Sequence, residues 1–319
     1  MTDDITVFSG TAHTEFAQEM CDILGVALQP TKFTRFSNDC LQVQLRANCR
    51  RRDVYIVQPL VPPVQENLVE LLLMLDAARG ASASHITAVI PHFSYARSDK
   101  KDASRISIGG RLVADLLQTA GATRVITMTL HSEQVHGFFS MPVDHLSATR
   151  ELADHFRQHD LSNTVVVSPD FGYAKVASEF ARILGIDVAT GSKRRLADDN
   201  VIIDRIVGDV EGRDVIIIDD EIATAGSMIE LMERLRAYEV KSISIATTHG
   251  LFTGKAVERL DAQDDVAEIV SANTVPLTPQ RRPQKLSVRS VAPLFAEAVK
   301  RHHEGSSVSS LFTDEVTYG

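Results

Sequence analysis

Little in this sequence supports a nucleic-acid-binding, membrane-spanning or disulfide-linked protein. Basic residues are in the minority, 33 Lys and Arg against 42 Asp and Glu. At a formal net charge of -9 the surface as a whole lacks the positive field that nucleic acid or an anionic membrane favours. Cysteine is scarce and odd in number: Cys21, Cys40 and Cys49 have no metal-ligand spacing. The opening MTDDITVFSG has neither the basic nor the apolar region of a signal peptide, so the expected compartment is a reducing cytoplasm. The strongest apolar run, Leu68 to Ala78, is interrupted by Glu70 and Asp76. It falls short of the roughly 20 residues a bilayer span needs and reads as a buried helix.

What is present is ordinary globular composition, 44% hydrophobic and 24% charged over 319 residues, enough for two medium domains. Short β-branched runs alternate with segments of helical period. The first half shows Val54 to Val57, the Leu68 to Ala78 helix, Ile86 to Ile90, Gly110 to Leu117 and Val125 to Met128. The second half repeats the rhythm with Val165 to Val167, Tyr173 to Leu184, Val215 to Ile218, Met228 to Tyr238 and Ser242 to Ala246. That pattern predicts an α/β chain with a mostly parallel sheet in each half. PHFSYAR (Pro91 to Arg97) and PDFGYAK (Pro169 to Lys175) share four residues at matching places and suggest an internal duplication. The boundary is expected near residues 145–150, giving domains 1–147 and 148–312 and a polar tail, 313–319. Lys193 to Gly212 has no clean period and reads as a loop.

The segment VIIIDDEIATAGS, Val215 to Ser227, carries the most chemistry. An apolar strand ends in Asp219 and Asp220, passes through Ala223, Thr224, Ala225, Gly226 and Ser227, and opens a helix. Small residues let backbone N–H groups approach phosphate oxygens, and the helix presents its positive end. The paired carboxylates can accept from vicinal ribose hydroxyls or reach a hydrated magnesium ion. An ordinary capped strand-to-helix turn would explain the hydroxyls and the glycine but not the adjacent aspartates. GLFTGKA, Gly250 to Ala256, is not a Walker loop, since its spacing is wrong and it lacks the hydroxyl after lysine.

The acidic pair and Thr-Ala-Gly-Ser loop resemble the phosphoribosyl-pyrophosphate motif of type I phosphoribosyltransferases and pyrophosphokinases. RDVYIVQP, NLVELLLMLDAARGASASHITAVIPHFSYARSDKK, LHSEQVHGFF, VVVSPD, KRR, GDVEGR and AVKRHHEGSSVSSLF resemble the ribose-phosphate pyrophosphokinase family, from about Ile5 to Phe312. The resemblance implies two tandem phosphoribosyltransferase-like domains. It implies transfer of a diphosphoryl group from a magnesium-bound nucleoside triphosphate, ATP in the family, to ribose 5-phosphate. It implies catalytic Lys193 and Arg195, with Arg195, Asp219, Asp220 and the loop Ala223 to Ser227 binding ribose 5-phosphate. It also implies metal-associated His131 and Asp170, a nucleotide site at Phe36, Asn38, Asp39, Cys40, Arg97 and Ser98, and a homo-oligomer, commonly a hexamer. Without the resemblance, Lys193 to Arg195 would read as a solvated basic face and His131 as a structural histidine.

Several positions depart from the family's pattern. Its Phe-Ser-Asp-Gly-Glu adenine segment is Phe36-Ser37-Asn38-Asp39-Cys40 here, the Gln after the arginine is Ser98, and the loop aspartate is Ala223. Base reading is therefore expected to differ, while the transfer residues persist. A phosphoribosyltransferase and a non-catalytic regulatory paralogue are the competing readings.

Overall fold

In a computed structural model of the chain, residues 4–197 and 200–311 are described, the side chains of 193–204 and 310 excepted. The chain divides into two compact units. The first runs through Ser147 and takes back residues 274–276 and the segment from Val291; the second holds Ala148–Asn273 and Leu277–Ser290.

The first unit contains β1 (Ile5–Ser9), α1 (Thr14–Leu24), β2 (Leu28–Gln29), β3 (Thr31–Arg35), β4 (Leu41–Leu45) and β5 (Asp53–Val57). It continues with α2 (Val64–Gly80), β6 (His85–Ile90), α3 (Gly109–Ala120), β7 (Arg124–Met128) and β8 (Val143–Leu146). Its main sheet has the order β2-β1-β5-β6-β7-β8 and is parallel throughout. Both faces of such a sheet are covered, which is why its strands read as continuous apolar runs. On one face Phe8, Ile56, Leu71, Leu75 and Val113 form the core. β3 and β4 stand apart as an antiparallel hairpin.

The second unit contains α4 (Thr149–Phe156), β9 (Thr164–Ser168), α5 (Ala174–Leu184), β10 (Asp187–Ala197), β11 (Asn200–Val207) and β12 (Asp214–Ile222). Then come α6 (Gly226–Arg236), β13 (Ser242–Gly250), α7 (Ala256–Asp261), β14 (Val266–Ala272) and β15 (Leu286–Arg289). The sheet order is β11-β10-β9-β12-β13-β14-β15, parallel except for the β10/β11 pair. Val167, Ile217, Leu231, Met232 and Ile245 lie in its core.

The last helix, α8 (Ala292–Glu304), belongs to the first unit, whereas the sequence reading kept everything from 148 to 312 in one domain. Phe16 of α1 meets Phe295 of α8 edge-on with ring centroids 5.3 Å apart. Tyr55 Oη lies 2.9 Å from His302 Nδ1, and His303 Nδ1 lies 2.6 Å from Asp53 Oδ2. Buried aromatic and charge-assisted contacts of this kind come from sequence-distant residues, so local periodicity does not reveal them.

Two other expectations differ. Lys193 to Gly212 is not a structureless stretch: the backbone of β10 and β11 forms an antiparallel ladder with register shifts at Ser192/Lys193 and Arg195/Ala197. Bulges of that kind break the period-2 pattern that would reveal a strand. The PHFSYAR and PDFGYAK echo also falls on non-equivalent strands. The two sheets share an order in which β1 matches β9, β5 matches β12 and β6 matches β13, yet PHFSYAR follows β6 and PDFGYAK follows β9. Likeness of the two halves therefore rests on topology, not on that heptapeptide.

Candidate active site

In an open α/β sheet, ligands bind beyond the carboxyl ends of the strands where the strand order reverses. In the second unit that point lies between β9 and β12, whose register pairs Thr164 with Asp214 and Val167 with Ile217. Asp219 therefore stands just past the end of the β9/β12 ladder, on the same edge as Asp170. The neighbouring strand β10 pairs Thr190 with Ser168, so Lys193 leaves the β9/β10 ladder in the same direction. The topology of this unit gathers Asp170, Lys193 and the acidic pair at one sheet edge.

β12 is longer than its apolar run. It continues to Ile222 by pairing Asp219 with Thr247 and Glu221 with His249 of β13, so the acids are on a strand and not in a loop. Asp220 is buried and Asp219 partly so, and Asp219 Oδ1 accepts the Asp220 N–H at 2.9 Å. The chain then turns through Ala223 to Ala225 into α6. Ala225 takes the left-handed conformation, φ 61 and ψ 8, and α6 has no side-chain cap on its N-terminus. Thr224, Gly226 and Ser227 are exposed. Gly226 is required neither by its φ nor by its neighbours: an added Cβ would meet nothing nearer than the Arg259 Nη1 at 3.6 Å. A glycine that packing does not demand, on an exposed uncapped helix start, leaves room for a ligand to reach backbone N–H groups.

Two braces hold this loop that sequence reasoning missed. Thr253 N–H donates to Ala223 O at 2.8 Å, and the N–H groups of Leu251 and Phe252 donate to Ile222 O at 3.0 and 3.1 Å. GLFTGKA is thus the support of the turn that follows β12. Arg259 of α7 donates from Nη1 to Thr224 O at 2.8 Å, placing a cation beside the turn. Only the tertiary fold brings these residues, more than twenty positions downstream, to the loop.

Asp170 ends the turn after β9, where its Oδ1 accepts the Tyr173 N–H at 3.2 Å just ahead of α5. The catalytic candidates Lys193 and Arg195 have their backbone in β10, and their side chains lie outside the described residues.

The remaining candidates belong to the first unit. His131 is exposed, three residues past β7. Its turn is held by the Leu130 N–H donating to His145 Nε2 at 2.8 Å, while Thr129 adopts φ 41 and donates its N–H to Leu146 O at 2.9 Å. Burial holds the His145 imidazole below its usual range, partly offset by Glu133, and that agrees with an unprotonated acceptor nitrogen. Arg97 is exposed at the end of a 3₁₀ turn, Ser94–Arg97. Ser98 Oγ accepts the Gly109 N–H at 2.8 Å and so fixes the start of α3.

Phe36 to Cys40 form the exposed tip of the β3/β4 hairpin, closed by Phe36 N–H to Cys40 O and Asp39 N–H to Phe36 O, both 2.9 Å. Asp39 has φ 70, a left-handed conformation that suits the glycine of the family's pattern, and its carboxylate pairs with Arg35 at 2.6 Å. Asn38 Oδ1 accepts the Cys40 N–H at 3.2 Å, which leaves the carboxamide NH₂ as its outward group.

The first unit has its own reversal point, between β1 and β5, and it is filled by side chains. Glu70 accepts the Thr11 N–H at 2.5 Å and the Gln58 Nε2–H at 2.7 Å, and Gln58 Oε1 accepts the Ala12 N–H at 3.1 Å. A Cβ on Gly10 would lie 2.7 Å from Glu70 Oε1. The Thr11 and Ala12 N–H groups thus end on side chains, and burial raises the Glu70 carboxyl above its usual range. The two halves share a topology, but at the equivalent place the second leaves Thr224, Gly226 and Ser227 exposed at the uncapped start of α6.

Models of known families match segments in both halves of the chain. The N-terminal domain of ribose phosphate pyrophosphokinase matches residues 5–121, and the phosphoribosyl synthetase-associated domain matches 200–313. A ribose-phosphate pyrophosphokinase of Deinococcus radiodurans is 51% identical over 97% of this chain and 98% of its own. The chain belongs to the ribose-phosphate pyrophosphokinase family. A Streptomyces coelicolor protein provisionally named as such an enzyme is 63% identical, covering 97% of this chain and 98% of that one. The crystal structure of phosphoribosylpyrophosphate synthetase from Mycobacterium smegmatis superposes with a TM-score of 0.89 at 37% identity, covering 95% of this chain and 100% of that one. Among the described residues no helix is long and apolar enough to cross a membrane.

Proposed function

We propose that the chain is a ribose-phosphate diphosphokinase that moves the β,γ-diphosphoryl group of a nucleoside triphosphate to the 1-hydroxyl of ribose 5-phosphate. The products are phosphoribosyl pyrophosphate and nucleoside monophosphate. The observation that carries this reading is the turn at the β9/β12 reversal, with Asp219 and Asp220 on its strand and the exposed Thr224, Gly226 and Ser227 at the uncapped start of α6.

The 5-phosphate sits on the N–H groups of Thr224 to Ser227 and on the Thr224 and Ser227 hydroxyls, where the positive end of α6 favours an anion. The ribose hydroxyls donate to the carboxylates of Asp219 and Asp220. The sugar is thereby anchored at both ends, which lowers the entropic part of the barrier. In the transfer, the 1-hydroxyl oxygen forms a bond to the β-phosphorus as it loses its proton, and the bond from that phosphorus to the α–β bridging oxygen breaks. Charge spreads over the equatorial oxygens, and Lys193 and Arg195 act there as fixed cations.

Magnesium is the cofactor this reading requires. In the second unit the carboxylate oxygens of Asp170, Asp219 and Asp220 would match its preference for hard oxygen donors; the family resemblance alone adds His131, whose imidazole suits contact through a bound water. The ion supplies charge neutralisation on the phosphate oxygens. On the donor side, Arg97 contacts the triphosphate, Ser98 sets the turn beside it, and the Phe36 to Cys40 tip reads the base. With Asn38 Oδ1 held inside the turn, its outward NH₂ donates, where the family's carboxylate accepts from an adenine amino group. ATP remains the expected donor, with weaker discrimination against a base that presents a carbonyl. We infer a homo-oligomer, a hexamer by kinship, and a cytoplasmic location, which the free Cys21, Cys40 and Cys49 suit.

The test is to incubate purified protein with magnesium and ribose 5-phosphate, offer ATP, GTP, CTP and UTP separately, and quantify phosphoribosyl pyrophosphate and nucleoside monophosphate. Equal formation of both products supports the proposal. Folded protein that binds ribose 5-phosphate and turns over no donor contradicts it.

A further inference from the structure

Away from the β9/β12 reversal, the second unit brings together one group of three metal-ligating side chains, the only such group found among the described residues. His155 lies in the last turn of α4, and His159 follows at the next turn, its N–H donating to Phe156 O at 3.0 Å. The four-residue spacing puts both imidazoles on one side of the chain. Opposite them is Glu268 of β14. The register passes from Ile243↔Val266 to Ser244↔Glu268, so β14 holds one extra residue immediately before the glutamate. A bulge at that point re-aims the side chain that follows it.

Both oxygens of the one carboxylate are engaged, each by a different histidine. His155 Nε2 is 2.8 Å from Glu268 Oε2 and His159 Nδ1 is 3.2 Å from Glu268 Oε1. The potential ligand atoms all lie within 4.8 Å of one another. The rings are oriented by packing. The buried Phe156 contacts His155 and His159 with centroids 5.2 and 5.9 Å away, and the two imidazoles meet edge-on at 5.6 Å. Phe156 is itself fixed against Phe180 at 6.1 Å.

We propose that His155, His159 and Glu268 bind a divalent transition ion of the zinc class, joining α4 to β14 with a fourth position open to water. Two imidazoles and a carboxylate form a borderline-soft donor set, which favours zinc over magnesium. Bonds of about 2.0–2.1 Å in a tetrahedral arrangement place donor atoms roughly 3.4 Å apart, near the observed histidine–carboxylate distances of 2.8 and 3.2 Å and inside the 4.8 Å that bounds the whole group. The side chains of His155 and Glu268 are 16% and 20% exposed and that of His159 is 45% exposed, a half-sheltered site with an entry path. The site uses none of the residues assigned to diphosphoryl transfer.

The experiment is zinc binding to chelator-stripped full-length protein in excess magnesium, measured by calorimetry and by metal content after gel filtration. Wild type, His159→Ala, Glu268→Ala and a Cys40→Ser control are compared, with thermal melting to verify folding. His159 is exposed enough for its replacement to leave the fold intact. The expected result is one zinc per chain in wild type and Cys40→Ser, weakened at least about tenfold in each of the other variants, the lower end of what loss of even a supporting contact costs a metal site. Wild-type zinc binding should also raise the melting temperature. No zinc on wild type, or weakening below tenfold in either ligand variant, overturns the proposal and leaves the cluster as a polar contact that ties Glu268 of β14 to the two histidines.

Discussion

Arg259 Nη1 donates to the Thr224 carbonyl oxygen at 2.8 Å, so a residue of α7 holds the turn that we propose binds the phosphate of ribose 5-phosphate. The contact orients the loop and adds positive charge beside it. A hydrogen bond from a charged donor contributes about 1.5–3 kcal/mol, less where solvent reaches it, as here. Arg259→Ala is expected to raise KM for ribose 5-phosphate up to about tenfold with a smaller change in kcat, and Arg259→Lys to recover part of the loss. Steady-state kinetics on both variants checks this; equal kinetics in Arg259→Ala and wild type removes the role.

Gly226 separates packing from function. Because an added Cβ meets nothing closer than 3.6 Å, Gly226→Ala should leave stability within about 0.5 kcal/mol of wild type. The same methyl stands where a phosphate approaches the helix start, so ribose 5-phosphate binding should weaken by about tenfold or more. Thermal melting and ligand titration read the two effects independently. A variant that melts early would show that the glycine serves the fold instead.

Lys193→Ala is expected to lower kcat by roughly two to three orders of magnitude while ribose 5-phosphate binding stays nearly intact, as for a charge used mainly in the transition state. The comparison of kcat with a directly measured Kd decides it. Unchanged turnover would remove Lys193 from the mechanism.

His145 predicts a pH dependence in the first unit. Its imidazole accepts the Leu130 N–H through Nε2, and burial depresses its pKa in the folded state. The unfolded chain therefore binds the proton more readily, and the stabilisation is complete above the ordinary value of about 6.5 and lost as pH falls below it. His302, depressed first by burial and then by Arg124, acts in the same direction. The melting temperature should fall between pH 7.5 and pH 5.5, and fall less in His145→Gln, whose amide oxygen can still accept the N–H.

Much of this was legible in the sequence because parallel strands buried on both faces leave unmistakable apolar runs. The strand, turn and helix start of Val215 to Ser227 were legible since their signals are local: an apolar run, small residues and a following helical period. β10 and β11 were missed because bulges and the basic run Lys193 to Arg195 hide their period. α8 was misplaced because its partners, Phe16, Tyr55 and Asp53, are more than two hundred positions away. Arg259 and the Leu251 to Thr253 brace carry no local mark, and the first unit's plug of Glu70 and Gln58 looked like any buried helix and strand end.

The most direct test supplies ATP labelled at its β-phosphorus, with magnesium and ribose 5-phosphate, and follows where the label goes. Diphosphoryl transfer predicts label in phosphoribosyl pyrophosphate and unlabelled AMP in equal amount. Label retained in ADP, with a ribose bisphosphate formed beside it, would mean that only the terminal phosphoryl group moves and would contradict the account.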